Sequence, residues 1–244
     1  MTEAEWLSCP DPMAMLASLP ASVSERKLRL FALACCRRLP AHLADAPGRA
    51  VLETAERFAD GEASAKGLLA VAFRVEGLDE SAAETTPPPP WWQTVHAALG
   101  PPQAVSALAA RVATAVFNEA NDRQAVLRAP PHQEIEVSRA TWAAAVAAGE
   151  RERALQCAML RDLVGHGAGP LDPGWLTPQV MLLARAAYLE RILPSGELDP
   201  ARLAVLADAL EEAGCTDRAT LDHLRDPGPH IRGCWALDLV LAKK

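Results

Sequence analysis

Aromatic residues are scarce in this sequence, and patterns typical of β-strands are rarer still. Its 244 residues include only one Tyr and four Phe. Alternating runs of Val, Ile and Thr mark strands, and only Gln133 to Ser138 (QEIEVS) alternates cleanly. The sequence therefore predicts a fold without a substantial sheet.

The sequence also has little that would direct it to a membrane or out of the cell. Its start, MTEAEWLSCPDP, is acidic and lacks the basic and apolar regions of a secretory signal peptide. No apolar run reaches the length of a membrane-spanning helix, since even MLLARAAYL is interrupted by Arg185. We expect a cytoplasmic protein that does not contact the membrane.

The six cysteines do not form the regular pattern of a disulfide-bonded secreted domain. They are unevenly spaced, and Cys35 and Cys36 are adjacent, so we expect reduced thiols. The sequence contains no P-loop and no GxGxxG, HExxH or GxSxG motif. These absences favour a role that is not enzymatic.

The formal net charge of −7 disfavours sequence-independent binding to nucleic acid, because such binding relies on Lys and Arg side chains that neutralise phosphates. The most basic segment is a predicted helix with five cations: Arg26, Lys27, Arg29, Arg37 and Arg38. We favour the interpretation that these residues form a solvated helix face. Arg37 and Arg38, in the last turn, would compensate the negative end of the helix dipole. A nucleic-acid-associated factor that uses the basic helix around Arg37 is an alternative.

Alanine and helix-capping patterns are abundant. Alanine has the highest helix propensity, and it supplies much of the 50% hydrophobic content. Thr2 and Glu5 form a capping-box pattern, while Thr177-Pro178 and Asp199-Pro200 each place a cap residue before a proline. We predict an all-α fold: an irregular bundle of about nine or ten helices in a single domain, residues 1–244.

Four consecutive prolines interrupt the helical pattern. Such a run favours an extended polyproline conformation, so residues 79–90 are predicted to form a linker or long loop and a possible boundary between subdomains. Two tryptophans follow and would anchor the end of the loop. A proline-rich loop is also a candidate docking site for a protein partner, with these candidate contacts: Pro88, Pro89, Trp91 and Trp92.

The C-terminal segment GPHIRGCWALDLVLAKK contains candidate metal ligands. With residues upstream, it gives a set of two cysteines and two histidines that would suit a tetrahedral zinc ion: Cys215, His223, His230 and Cys234. The spacing C-x7-H-x6-H-x3-C matches no common zinc finger. We therefore treat zinc binding as an alternative to an ordinary structural role for these residues.

The same segment allows a nucleophilic interpretation. If the helix begins at His230, then His230, Cys234 and Asp238 lie on one stripe, with Cys234 as thiolate, His230 as base and Asp238 as orienting group. A reactive thiolate favours an exposed, electropositive site, whereas Cys234 lies within an apolar run. This interpretation is therefore disfavoured.

Asp238 is the only charged residue in CWALDLVLA. A buried carboxylate is costly unless it is paired and hydrogen-bonded. We expect Asp238 either to face solvent or to pair, as a buried structural group, with an arginine of another helix. Arg37 and Arg38 are the first candidates.

Several segments resemble a family of uncharacterised proteins abundant in planctomycete bacteria. They are MTEAEWLSCPDPMAML, SERKLRLFALACCRRL, AERFADG, LADALEEAGCTD and GPHIRGCWALDLVLAKK. The middle departs from the pattern, since HGAGP replaces an expected Asn-Pro-Phe-type turn. The resemblance implies no activity, cofactor or catalytic residue. Our leading expectation is a helical module for protein–protein interaction or regulation, with an unknown partner.

Overall fold

Helices supply the regular structure of the chain. A computed structural model describes residues 1–38, 46–76, 95, 98–100, 114, 136–165 and 169–243. Within these ranges there are ten α-helices and no strand, which confirms the predicted all-α fold. The proline-rich segment 79–90 and the candidate partner contacts lie outside the described residues.

Three of the ten helices begin at the capping signals noted in the sequence, with Thr2, Thr177 and Asp199 as their N-cap residues. The ten helices are α1 (Glu3–Ser8), α2 (Pro12–Ala17), α3 (Glu25–Cys36), α4 (Ala46–Ala59), α5 (Ala65–Glu76), α6 (Glu136–Leu163), α7 (Pro178–Leu189), α8 (Pro200–Glu212), α9 (Arg218–Arg225) and α10 (Trp235–Leu241). At α1 the capping box forms, because Thr2 N donates to Glu5 Oε2 at 2.7 Å and Glu5 N donates to Thr2 Oγ1 at 3.3 Å.

Buried apolar side chains of the described residues form two cores. The N-terminal core draws on α1 to α6, with residues such as Met15, Phe31, Leu52, Leu68 and Leu160. The C-terminal core draws on α7 to α10, with residues such as Val180, Leu206, Leu224 and Leu237. Val95 and Ala98, beyond the proline-rich segment, belong to the N-terminal core. The cores therefore divide between α6 and α7.

The loop between α9 and α10 links the two cores. Its Ile231 is buried in the N-terminal core. Gly233 has φ 95°, and a Cβ there would lie 2.8 Å from Leu163 Cδ2 and 2.9 Å from Leu30 Cδ1. Its carbonyl accepts from Lys27 Nζ at 3.2 Å. Only glycine combines this backbone conformation with so close an approach to α3 and α6.

Buried ion pairs join the two cores beside this loop. Asp60, just after α4, has a fully buried side chain that accepts from Arg26 Nε at 2.7 Å and Arg232 Nε at 2.6 Å. The hydroxyl of Tyr188 donates to the same carboxylate at 2.8 Å. Burial alone would raise the pKa of Asp60, but the charges of Arg232 and Arg26 outweigh it and hold that pKa below its usual value.

Asp238 is 2% exposed, and its partner is Arg26 rather than either expected arginine. Arg26 donates to both carboxylate oxygens, at 2.7 and 3.0 Å. Arg37 lies 11 residues further along α3, roughly 16 Å away, so the Asp238 carboxylate meets the opposite end of that helix. Arg37 is buried and binds Glu56 at 2.6 Å. Arg38 binds a glutamate of α6, and its side chain remains 33% exposed.

Removing the Asp238 carboxylate should destabilise the fold severely. Asp238→Ala leaves the Arg26 guanidinium largely buried with fewer acceptors, a change that typically costs about 3–5 kcal/mol. We expect a large drop in the urea midpoint. Asp208→Ala is the control, since its 65% exposed side chain pairs with Arg225 and should contribute less than about 1 kcal/mol. Equal midpoints for the two variants would contradict a buried, stabilising pair.

Acid should unfold the protein by protonating these carboxylates. Burial raises the pKa of Glu56, but Arg37 and Arg191 more than offset this, so Glu56 and Asp60 both have folded-state pKa values below their ordinary 4.5 and 3.8. Such groups contribute stability above the unfolded pKa and lose it as the pH falls. We expect the urea midpoint to be level between about pH 5 and pH 6 and to decline below about pH 4.5.

The variant Asp60→Asn tests the source of this decline. It lacks one of the titrating groups, so its urea midpoint at neutral pH should be lower and its fall with acid shallower. Asp208→Asn removes an exposed carboxylate and should leave the wild-type pH profile unchanged. A wild-type midpoint that does not change between pH 6 and pH 3 would show that these carboxylates contribute no stability.

Candidate metal centre

Four polar side chains from both sides of the core boundary converge on one point. Asp162, His223, His230 and Cys234 each contribute one donor atom, and the four atoms lie within 4.8 Å of one another. Asp162, His230 and Cys234 are each at most 2% exposed. The His223 ring is 19% exposed, so the group is almost closed to solvent.

Each side chain is placed by a different element. Asp162 lies in the last turn of α6, and His223 lies on α9. His230 lies in the loop that follows, while Cys234 is the N-cap residue of α10. Contacts between helix ends and a loop thus bring together residues as distant in sequence as 162 and 234.

The nucleophilic interpretation assumes a helix that begins at His230, and the structure differs. The helix begins at Trp235, and Gly233 just before it has φ 95°, a conformation that no right-handed helix contains. His230, Cys234 and Asp238 therefore do not form a helical stripe. His230 and Cys234 meet through the loop, whereas Asp238 binds Arg26.

Asp162 is the centre of the group. Its Oδ1 atom lies 2.7 Å from His230 Nδ1 and 3.1 Å from His223 Nε2. Its Oδ2 atom accepts from the backbone N–H of Ile231 at 2.7 Å. Burial raises the pKa of Asp162, but hydrogen bonds from His223 and His230 outweigh burial and lower it below its usual value. These hydrogen bonds therefore favour the ionised form of the carboxylate.

His230 bonds through both ring nitrogens. Nδ1 faces the Asp162 carboxylate, and Nε2 lies 2.8 Å from the carbonyl oxygen of Asp226. Both partners are acceptors, so without a metal both nitrogens carry protons and the imidazolium neutralises Asp162. Burial alone would lower the pKa of His230, but the Asp162 hydrogen bond and charge raise it overall.

Cys234 is not placed as an activated nucleophile. Its Sγ atom lies 3.3 Å from His223 Nε2, the same nitrogen that faces Asp162. In a nucleophile–base–carboxylate triad the outer groups contact opposite nitrogens of the histidine. Burial and the Asp162 charge also raise the pKa of the thiol well above its usual value. Donor atoms that converge from several sides are instead typical of a metal site.

Three of the four residues predicted to bind zinc lie in this group, and Cys215 does not. Cys215 is buried in the C-terminal core, and this burial raises the pKa of its thiol. Asp162 occupies the fourth position. The sequence held one indication of its role, because an acidic residue in the last turn of a helix opposes the helix dipole.

The basic residues of α3 and its C-terminal end all contact carboxylates or backbone carbonyls of the protein itself. Arg26 binds Asp60 and Asp238, and Lys27 donates to the carbonyls of Leu163 and Gly233. The remaining three each bind a glutamate: Arg29 with Glu25, Arg37 with Glu56 and Arg38 with Glu152. These contacts give the nucleic-acid hypothesis no support.

Comparisons with protein-family models, with curated proteins and with solved structures each find no match. None of the described helices combines the length and apolar character needed to cross a bilayer. The six cysteines, which all lie in the described part of the chain, form no disulfide.

Proposed function

We propose that this protein binds one zinc ion through Asp162, His223, His230 and Cys234, and that the ion fastens the C-terminal helices to α6. The observation that carries this proposal is the convergence of four suitable donor atoms on one nearly closed point. The role of the ion is structural, and the protein is a zinc-stabilised helical protein rather than an enzyme.

The donor set suits zinc. Two imidazole nitrogens, one thiolate and one carboxylate are ligands that Zn²⁺ commonly takes in tetrahedral sites. Ionised Asp162 and Cys234 would together neutralise the two charges of the ion. Around zinc such atoms lie roughly 3.3–3.8 Å apart. The 2.7 Å contact between Asp162 and His230 has the length of a hydrogen bond, which the metal would replace.

Groups outside the four ligands support the same assignment. The Nε2–H of His230 donates to the carbonyl of Asp226, which leaves Nδ1 directed at the site. The backbone N–H of Ile231 holds the second oxygen of Asp162. A hydrogen bond to the far side of a metal ligand fixes its orientation and raises its basicity. Two of the four side chains are thus oriented for coordination.

Four protein ligands complete a tetrahedron and leave no position for substrate, which is typical of structural zinc. Asp162 lies on α6, whose neighbouring residues Leu160 and Leu163 belong to the N-terminal core. Cys234 belongs to the C-terminal core, and His223 lies on α9 of the same unit. An ion held by these ligands would join the two cores directly.

Metal analysis of the untagged protein tests the proposal. We expect about one zinc per chain in the wild type, and we expect His223→Ala and Cys234→Ser each to lower zinc affinity by more than about 100-fold, beyond the effect of losing an outer-shell partner. Cys215→Ser is the matched control: it also removes a buried thiol, but it should keep its zinc.

Thermal unfolding separates loss of metal from loss of fold. A chelator should lower the Tm of the wild type and of Cys215→Ser, and it should leave the Tm of His223→Ala unchanged. A wild type that takes up no zinc after refolding with excess metal would overturn the proposal. The same holds if Cys215→Ser loses zinc while Cys234→Ser keeps it.

An interaction role is a second candidate, favoured by exposed apolar side chains on α7 and the turn after it. Leu182 and Leu189, seven residues apart on one face of α7, are 70% and 64% exposed. Ile192 and Leu193 follow at 45% and 60%. Clustered exposed apolar side chains often mark contact surfaces, so we place a protein partner here. The cytoplasm is its proposed location.

Replacing the two leucines should remove that contact. We expect the double variant Leu182→Ser, Leu189→Ser to keep the wild-type Tm and to lose a protein that co-precipitates with the wild type from its native host. Val146→Ser is the control, because Val146 is a 39% exposed residue of α6. Identical co-precipitated proteins for all three chains would contradict this interaction surface.

A further inference from the structure

Exposed apolar side chains are concentrated in one part of this protein. Within the described residues, eight large apolar side chains are at least 39% exposed, and four of them lie between residues 182 and 193. These four form the α7 surface, which was proposed above to contact a protein: Leu182, Leu189, Ile192 and Leu193. Single exposed apolar residues are ordinary, whereas a cluster of them is typical of an interface. The α7 surface is therefore the described surface best suited to cover a partner.

The charged residues beside the α7 surface balance one another. Arg185 is exposed and lies on the same side of α7 as the two leucines, three residues after the first and four before the second. Glu190 and Asp199 share Arg202, whose guanidinium lies 2.5 Å from Glu190 and 3.7 Å from Asp199. Two cations thus accompany two carboxylates, and the formal charge of the surface is zero.

The cleft next to the α7 surface is balanced in the same way. It has a volume of about 470 Å³, and Leu189 and Leu193 form part of its wall. Three arginines and three glutamates also line it: Arg57, Arg191, Arg232, Glu53, Glu62 and Glu190. Neither sign is in excess, so the edge of the surface offers no net attraction to a strongly acidic or strongly basic partner.

A second copy of the chain fits a surface of this kind. The chain carries a formal net charge of −7, so two copies repel each other where acidic faces meet. Contact between two neutral apolar surfaces removes leucines from water without bringing an excess of like charge together. Away from a twofold axis, a residue contacts a different residue of the other copy, and the contact occurs twice. Arg185 of each copy can thus approach a carboxylate of the other.

We infer that the α7 surface binds a second copy of this chain, so that the protein forms a symmetric dimer. This inference rests on the interaction surface proposed above and names its partner. The contact is apolar at its centre and carries charges of both signs at its edge, an arrangement that is common in protein interfaces. No ligand of the proposed metal site belongs to the α7 surface, so dimer formation does not depend on zinc.

Sedimentation equilibrium of the untagged protein tests the inference. We expect a reversible monomer–dimer equilibrium in the wild type. The double variant Leu182→Ser, Leu189→Ser should raise the dimer dissociation constant at least about 100-fold, because both copies lose both leucines. Val146→Ser, at the exposed apolar residue of α6, is the control and should dimerise like the wild type. At concentrations where the wild type is monomeric, all three chains should have the same Tm.

Charge reversal tests whether the two balanced surfaces face each other. Arg185→Glu gives the surface a formal charge of −2 and Glu190→Arg gives it +2, so each variant alone should dimerise at least about tenfold more weakly than the wild type. An equal mixture of the two variants should recover the dimer, because surfaces of opposite charge then meet. Arg74→Glu reverses an exposed arginine of α5 and is the control, with dimerisation expected to stay close to that of the wild type.

The outcomes separate this inference from the interaction surface on which it rests. If the wild type stays monomeric at millimolar concentration while another protein co-precipitates through the two leucines, the surface stands and the second copy is wrong. If neither contact occurs, both proposals are wrong. A dimer that the leucine variant retains, or a mixture that dimerises no better than its components, would overturn the proposed interface. Leucine-dependent binding to phosphatidylserine vesicles by a monomeric wild type would identify a lipid surface instead.

Discussion

Neutralising buried carboxylates is the constraint on which this structure depends. Asp60, Asp162 and Asp238 are removed from water at the boundary between two apolar cores, and an ionised carboxylate there is stable only with a partner. Each finds cationic partners from distant parts of the chain. Because apolar contacts alone do not specify how two helical groups meet, these pairings fix the relative positions of α3, α4, α6 and α10.

The loop between α9 and α10 supplies contacts to both cores. Its carbonyls and N–H groups bind Lys27 and Asp162, while Ile231 fills the N-terminal core and Arg232 reaches Asp60. A regular helix through this segment would satisfy its own backbone groups and leave none for those partners. Because the loop is irregular, this one short segment can form an ion pair, backbone hydrogen bonds and apolar contacts at the same time.

The starts of α1, α7 and α8 could be predicted from the sequence, because a capping box and Thr-Pro or Asp-Pro pairs act within one turn. The need of Asp238 for an arginine could also be predicted, since it follows from local polarity. The identity of that arginine could not, because choosing Arg26 over Arg37 depends on which end of α3 meets α10. Asp162 was missed for the same reason: it lies 61 residues from His223, and only the fold brings them together.

The charge of Asp162 can be neutralised in two ways, with or without a metal ion. Folding therefore does not depend on the metal. With a proton on each nitrogen, His230 cancels the Asp162 charge, and the Cys234 thiol is neutral. With zinc, two anionic ligands cancel the ion's charge. Neither state leaves a net buried charge, so the fold does not need the metal to avoid that cost. Zinc bound only by folded protein adds stability by mass action, about 4 kcal/mol at a thousand times its Kd. The metal would thus strengthen a junction that buried ion pairs have already specified.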